Sequence, residues 1–181
     1  TMHSGYHTLP TINGQLQIPG RIYSAQGIEY KYDIAARDVH YHCDEGSATF
    51  SLDIANAYAP EAEINSYQRK VTLNRGKEIV LEDRYNLKKV TGGLSLNMLT
   101  ACAVKKGAPG ILALKETELA DGRTSGSATL HFDGTLFDVA IETKAIEDNR
   151  LKTIWGKQLT RIVFTVKSPQ TQGGFTLRLT R

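Results

Sequence analysis

Histidine is the side chain best suited to proton transfer and metal binding near neutral pH, and this chain has five: His3, His7, His40, His42 and His131. His40 and His42 form a His-x-His on a segment that reads as a strand, so both rings point to one face. Two imidazoles side by side are half of a zinc or copper site, or two polar residues on a solvated face; the spacing fits both. His3 and His7 are four apart, which would join them on a helix. Their segment, "SGYHTLPTING", reads as extended. His7 then shares a face with Leu9 and Thr11 and reads, by itself, as a packed or hydrogen-bonded ring.

No motif for covalent catalysis accompanies these rings. The chain contains no Gly-x-Ser-x-Gly, no phosphate loop, no dinucleotide fingerprint and no Cys-x-x-Cys. Glu142, Glu147 and Asp148 fall near the end of a strand, with nothing in their spacing to set them apart from surface charge. Cys43 and Cys102 permit at most one disulfide, which is no framework and demands no oxidising compartment. The lysines and arginines are scattered and the formal net charge is only +3, so nothing resembles a nucleic-acid-binding stripe. No apolar run approaches the length of a membrane span, and the first twenty residues lack the basic start and apolar core of a secretory signal. Neither nucleic acid nor membrane is therefore expected as a partner.

The elements that must position these residues are strands. Apolar and polar residues alternate, with Gly, Asn or Asp breaks every eight to twelve residues, and helical periodicity is nearly absent. The expectation is an all-β fold, an antiparallel two-sheet sandwich with little or no helix, formed by residues 1–181 as one domain. Asn13-Gly14 suits a type I′ turn, and Pro10 places the first strand on a sheet edge. "SYQRKVTLNR" and "KEIVLEDRYNL" pair across Arg75-Gly76. "SATLHFDGTLFDVAIE" reads as a hairpin about Asp133-Gly134, with Leu130 facing Phe137 and Ala128 facing Val139. "AYAPEAEINS" mixes turn and helix signals and reads as a loop or short helical turn.

Three stretches, taken in order, resemble the heparinase II/III-like family of bacterial polysaccharide lyases. "SGYHTLPTINGQLQIPG" is similar to the family's Ser-x-Tyr-His-Asn, apolar run, Asn-Gly turn and Gln. "NAYAPEAEINSYQRKVTLNRGKEIVLEDRYNL" resembles its Ala-Tyr, aromatic-x-Arg and strand-Asp-x-Tyr pattern. "DVAIETKAIEDNRLKTIWGKQLTRIVFTV" resembles its closing Asp-x-x-Leu, Trp-Gly and Arg-Ile strand. The resemblance implies the C-terminal β domain of a lyase whose N-terminal part is a helical toroid, and a chain that begins inside that larger protein.

It implies β-elimination on uronic-acid-containing glycans such as glycosaminoglycans. A base removes the proton on C5, the carboxylate charge is stabilised and an acid protonates the leaving oxygen. The family's Tyr and His catalysts lie mostly upstream, so no catalytic residue is assigned here and the chain is expected to be inactive alone. His7 matches a family histidine that helps hold a divalent metal such as zinc, with partners from upstream; Thr8 stands where the family usually has Asn. The implied partners are the toroid of the same polypeptide and an acidic polysaccharide. Arg69, Arg75 and Lys77 are the candidates for binding it, as basic residues sharing an exposed side of one strand and its turn. An exported parent would be periplasmic or extracellular, and any other cytoplasmic. Two further readings are a non-catalytic carbohydrate-binding sandwich, with Tyr30 and Tyr32 on one strand face as a stacking platform, and a structural module whose edge strand pairs with a second copy.

Overall fold

The computed structural model describes residues 4–19, 22–25, 28–31 and 34–181. Among the described residues the strands form two main antiparallel sheets and one separate hairpin. The smaller sheet has the order β1 (Pro10–Ile12), β8 (Leu94–Thr100), β13 (Gln158–Val166), β12 (Phe137–Ala145). The larger runs β4 (Arg37–Cys43), β5 (Ser47–Asp53), β6 (Ile64–Asn74), β7 (Glu78–Leu87), β14 (Gln172–Thr180), β11 (Ala128–His131), β10 (Ile111–Lys115), β9 (Ala103–Lys106). The hairpin is β2 (Ile22–Ala25) with β3 (Ile28–Lys31). This is the all-β two-sheet sandwich that the alternation implies.

The core lies between the facing sheets, because each strand sends alternate side chains inward. Leu94, Leu96, Ile162 and Phe164 of the small sheet meet Leu112, Leu130, Leu81 and Leu177 of the large one, all buried. Phe132, Phe137, Phe164 and Phe175 pack edge to face at its centre, with ring centroids 5.2–6.3 Å apart. Four strands do not cover eight. Toward β4 no strand of the small sheet among the described residues covers the inner face of the large one, and Tyr41 is 69% exposed there, opposite Phe50.

Asn13 and Gly14 take φ of 50° and 77°, and Ile12 and Gln15 exchange backbone hydrogen bonds across them, as a type I′ turn requires. Pro10 lies on β1, an edge strand that lacks a second neighbour to miss its N–H. β6 and β7 pair across the expected turn, with Asn74 opposite Glu78. The stretch "AYAPEAEINS" starts at the end of one short 3-10 turn, Ala55–Ala57, contains a second, Pro60–Ala62, and ends in the first residues of β6.

The hairpin about Asp133-Gly134 is corrected. β11 pairs with β10 and β14, whereas β12 pairs with β13 in the opposite sheet. The Asp133 side chain accepts from the backbone N–H of Thr135 and Leu136, and the Asp133 carbonyl accepts from Leu136 and Phe137. That tight local turn lifts the chain from one sheet to the other. The apolar parity is kept, so Leu130 and Phe137 still point into the same core, from opposite walls. Among the described residues one short α-helix, α1 (Asn149–Trp155), accompanies the strands, in keeping with the expectation of little or no helix. Asp148 caps it, accepting from the N–H of Arg150 at 2.8 Å and Leu151 at 3.4 Å.

Candidate functional site

The segment that carries His7 crosses one end of the small sheet. There it walls a groove of about 670 Å³. Leu99 and Leu159, from neighbouring strands, line the groove together with Tyr6, His7, Ile146 and Trp155. Tyr6 and Trp155 are partly exposed, so the groove offers aromatic surface to solvent. Lys144 also lines it, with its ammonium 2.7 Å from Glu142.

The backbone on which His7 sits is held from two sides. Arg69 Nη1 donates to the Thr8 carbonyl. Asn97 donates to the Leu9 carbonyl twice, through its backbone N–H and its side-chain Nδ2, both at 3.0 Å. Tyr58 Oη donates to the Pro10 carbonyl at 2.7 Å. Three successive carbonyls are thus each held by a residue at least partly buried. Ser4 closes the segment's start: its carbonyl accepts from the His7 N–H at 3.1 Å and its Oγ from the Gln17 N–H at 2.9 Å.

Each of those side chains has its own support. Asp83, with no exposed side-chain surface, accepts from Arg69 Nε at 2.7 Å, from Arg69 Nη2, and from Tyr67 Oη at 2.8 Å. The Arg69 fork grips both carboxylate oxygens and keeps Nη1 free to reach Thr8. Burial works against the charge on Arg69, but hydrogen bonding and proximity to the Asp83 carboxylate outweigh it and the net shift is upward. Burial raises Tyr58 and Tyr67 far above an ordinary phenol, and the Asp83 carboxylate adds to this, so both remain neutral donors. On the other side Asn97 accepts from Arg161 Nη2, and Arg161 Nη1 reaches Glu142 at 3.2 Å. Lys144 and Arg161 hold the Glu142 carboxyl below the usual carboxylate range.

The stretches singled out in the sequence meet in this arrangement. Ala57-Tyr58, Tyr67-Gln68-Arg69 and Asp83-Arg84-Tyr85 supply the clamp on the large-sheet side, and Arg161-Ile162 supports Asn97. Asn97 is the member that the sequence reading missed. Its signal was faint: a lone amide within the apolar run "LSLNMLT".

Arg69, Arg75 and Lys77 do not share an exposed side, and that expectation is corrected for Arg69. It lies on the inner face with Tyr67 and Val71, 7% exposed, because Asp83 opposite compensates its charge. Arg75 and Lys77 are exposed at the β6–β7 turn, roughly 20 Å farther along the strand at about 3.4 Å per residue. Arg75 Nη2 lies 3.1 Å from Cys43 Sγ. His40 and His42 share the outer face of β4, and His42 Nε2 lies 3.4 Å from Asp44. Among the described residues no three His, Cys, Asp or Glu side chains converge as a metal site, so those around His7 do not form one by themselves. Tyr32 and His3 lie outside the described residues, as does the side chain of Tyr30.

No family model matches the chain, and no curated protein does. Its fold is similar to that of heparan sulfate lyase HepC from Pedobacter heparinus, with a TM-score of 0.60 at 14% identity over 97% of this chain. A mutant of the same lyase gives 0.61 at 13%, and a heparinase III gives 0.56 at 10% over 92% of this chain. The chain spans only 24–29% of these proteins' length. The likeness is one of fold, and it falls on lyases of the kind that the sequence resembles.

Proposed function

We propose that this chain is the C-terminal β domain of a polysaccharide lyase that cleaves uronic-acid-containing glycans by β-elimination. It supports the catalytic part of a longer polypeptide and is inactive alone. The observation that supports this most is the convergence on His7. Stretches far apart in sequence, which resemble the lyase family, meet around one segment: Arg69 and Tyr58 hold its backbone at the Thr8 and Pro10 carbonyls, and Arg161 supports Asn97, which holds the Leu9 carbonyl between them. A fold likeness covering nearly the whole chain adds to it.

In this reading the groove beside His7 is one wall of the substrate cleft. His7 would give one nitrogen to a divalent metal such as zinc, with the remaining ligands supplied from upstream in the longer polypeptide. A metal bound there would supply fixed positive charge near the developing carboxylate charge. The helical toroid, upstream in the same polypeptide, provides base and acid. Arg75 and Lys77, exposed and basic, are proposed contacts for the acidic polysaccharide away from the groove.

The intact mass of the native protein in its source cells, read with an antibody to this chain, tests the domain assignment. A species several times larger is expected. A species of this chain's size contradicts it.

A further inference from the structure

We infer that Arg69 is a positioning residue: its guanidinium, anchored on Asp83, fixes the Thr8 carbonyl and thereby sets where the His7 ring stands at the groove. The inference rests on the reading of His7 as the working residue of this region. It replaces a substrate contact for Arg69 with an internal one.

The geometry needs an arginine at this place. Nε and Nη2 are spent on the two Asp83 oxygens, and Nη1 points away from them to Thr8. A lysine ammonium is a single point. It can pair with Asp83 but cannot also span to a carbonyl on a different segment. Tyr67 holds the second Asp83 oxygen, so the carboxylate cannot turn and carry the guanidinium with it. The joint lies where the sandwich closes. Arg69 belongs to the large sheet, whereas the segment it holds leads into β1, the edge of the small one. The hydrogen bond that crosses there is part-buried and comes from a charged, buried donor, the stronger class of such bonds.

The test compares the full chain with Arg69→Lys by NMR of the histidine rings and by amide hydrogen exchange. In Arg69→Lys the His7 ring signals should move and broaden while those of His131, on the far side of the large sheet, stay in place. The Leu9 N–H, bonded to the His7 carbonyl, should exchange about tenfold faster, the loss expected for one charge-assisted hydrogen bond worth about 1.4 kcal/mol or more. Core amides of β13 should keep their protection. Unchanged His7 signals, or equal shifts at His7 and His131, would overturn the inference. If Arg69→Lys does not fold, the native chain decides. One arginine should show slowly rotating, separately resolved Nη protons with contacts to Thr8, and their absence would equally sink it. These readouts need no glycan and no lyase activity, so they stand or fall apart from the proposed function.

Discussion

Two arginine–aspartate pairs in this molecule look alike on paper and differ in consequence. Arg69 binds Asp83 through Nε and Nη2, and Arg123 binds Asp121 through the same two nitrogens, at 2.8 and 2.6 Å. The side chains of the first pair are 8% and 0% exposed, and those of the second 68% and 26%. Water competes for Arg123 and screens its partner, so that pair tidies a surface turn and does little more. Water is excluded at Asp83, so each partner there must be satisfied by the other and by Tyr67 and Thr8. A network that must be complete also fixes whatever it touches. It touches the backbone beside His7.

The strongest way to break this contrast is to orphan one buried partner. Asp83→Ala leaves the Arg69 charge enclosed and should cost about 3–5 kcal/mol, enough to threaten the fold, read from urea denaturation. Tyr67→Phe removes one donor from the same carboxylate and should cost about 1–2 kcal/mol in the same assay. A change of pH probes the phenols. Tyr58 and Tyr67 have folded values raised above the unfolded phenol. Their contribution is therefore complete below about pH 10, the unfolded value, and is lost as the pH rises beyond it. The melting temperature should fall in that range, and less steeply in Tyr67→Phe. At the small end, Asp121→Ala should leave the melting temperature unchanged. A loss comparable to that of Tyr67→Phe would erase the distinction between the two pairs.

Much of the fold was legible because strand alternation reports burial directly. Asn13-Gly14, Pro10 on its edge and the β6–β7 pairing all follow from local chemistry. The Asp133-Gly134 hairpin failed for a physical reason: alternation says which residues face the core but not from which wall. Leu130 and Phe137 face the same core in either arrangement, and only the hydrogen bonds about Asp133 decide that the chain changes sheets. α1 was missed because seven residues give too little periodicity, although Asp148 and Gly156 bracket it.

The site was half legible. His7 was singled out, but Arg69 was read as surface charge. Its parity argued otherwise. Arg69 alternates with Tyr67 and Val71, and a turn that sets Asn74 opposite Glu78 sets Arg69 opposite Asp83. Opposite charges facing each other on the apolar side of two paired strands mark a buried pair. What no strand pattern could show is that the spare nitrogen of that pair reaches Thr8, more than sixty residues earlier in number.

The most direct test of the account is the release of unsaturated uronate from uronic-acid-containing glycans, measured for this chain and for the longer polypeptide proposed to contain it. The account predicts no release by this chain, release by the longer polypeptide, and loss of that release in its His7→Ala variant. Release by this chain alone, above a mock preparation, would contradict it.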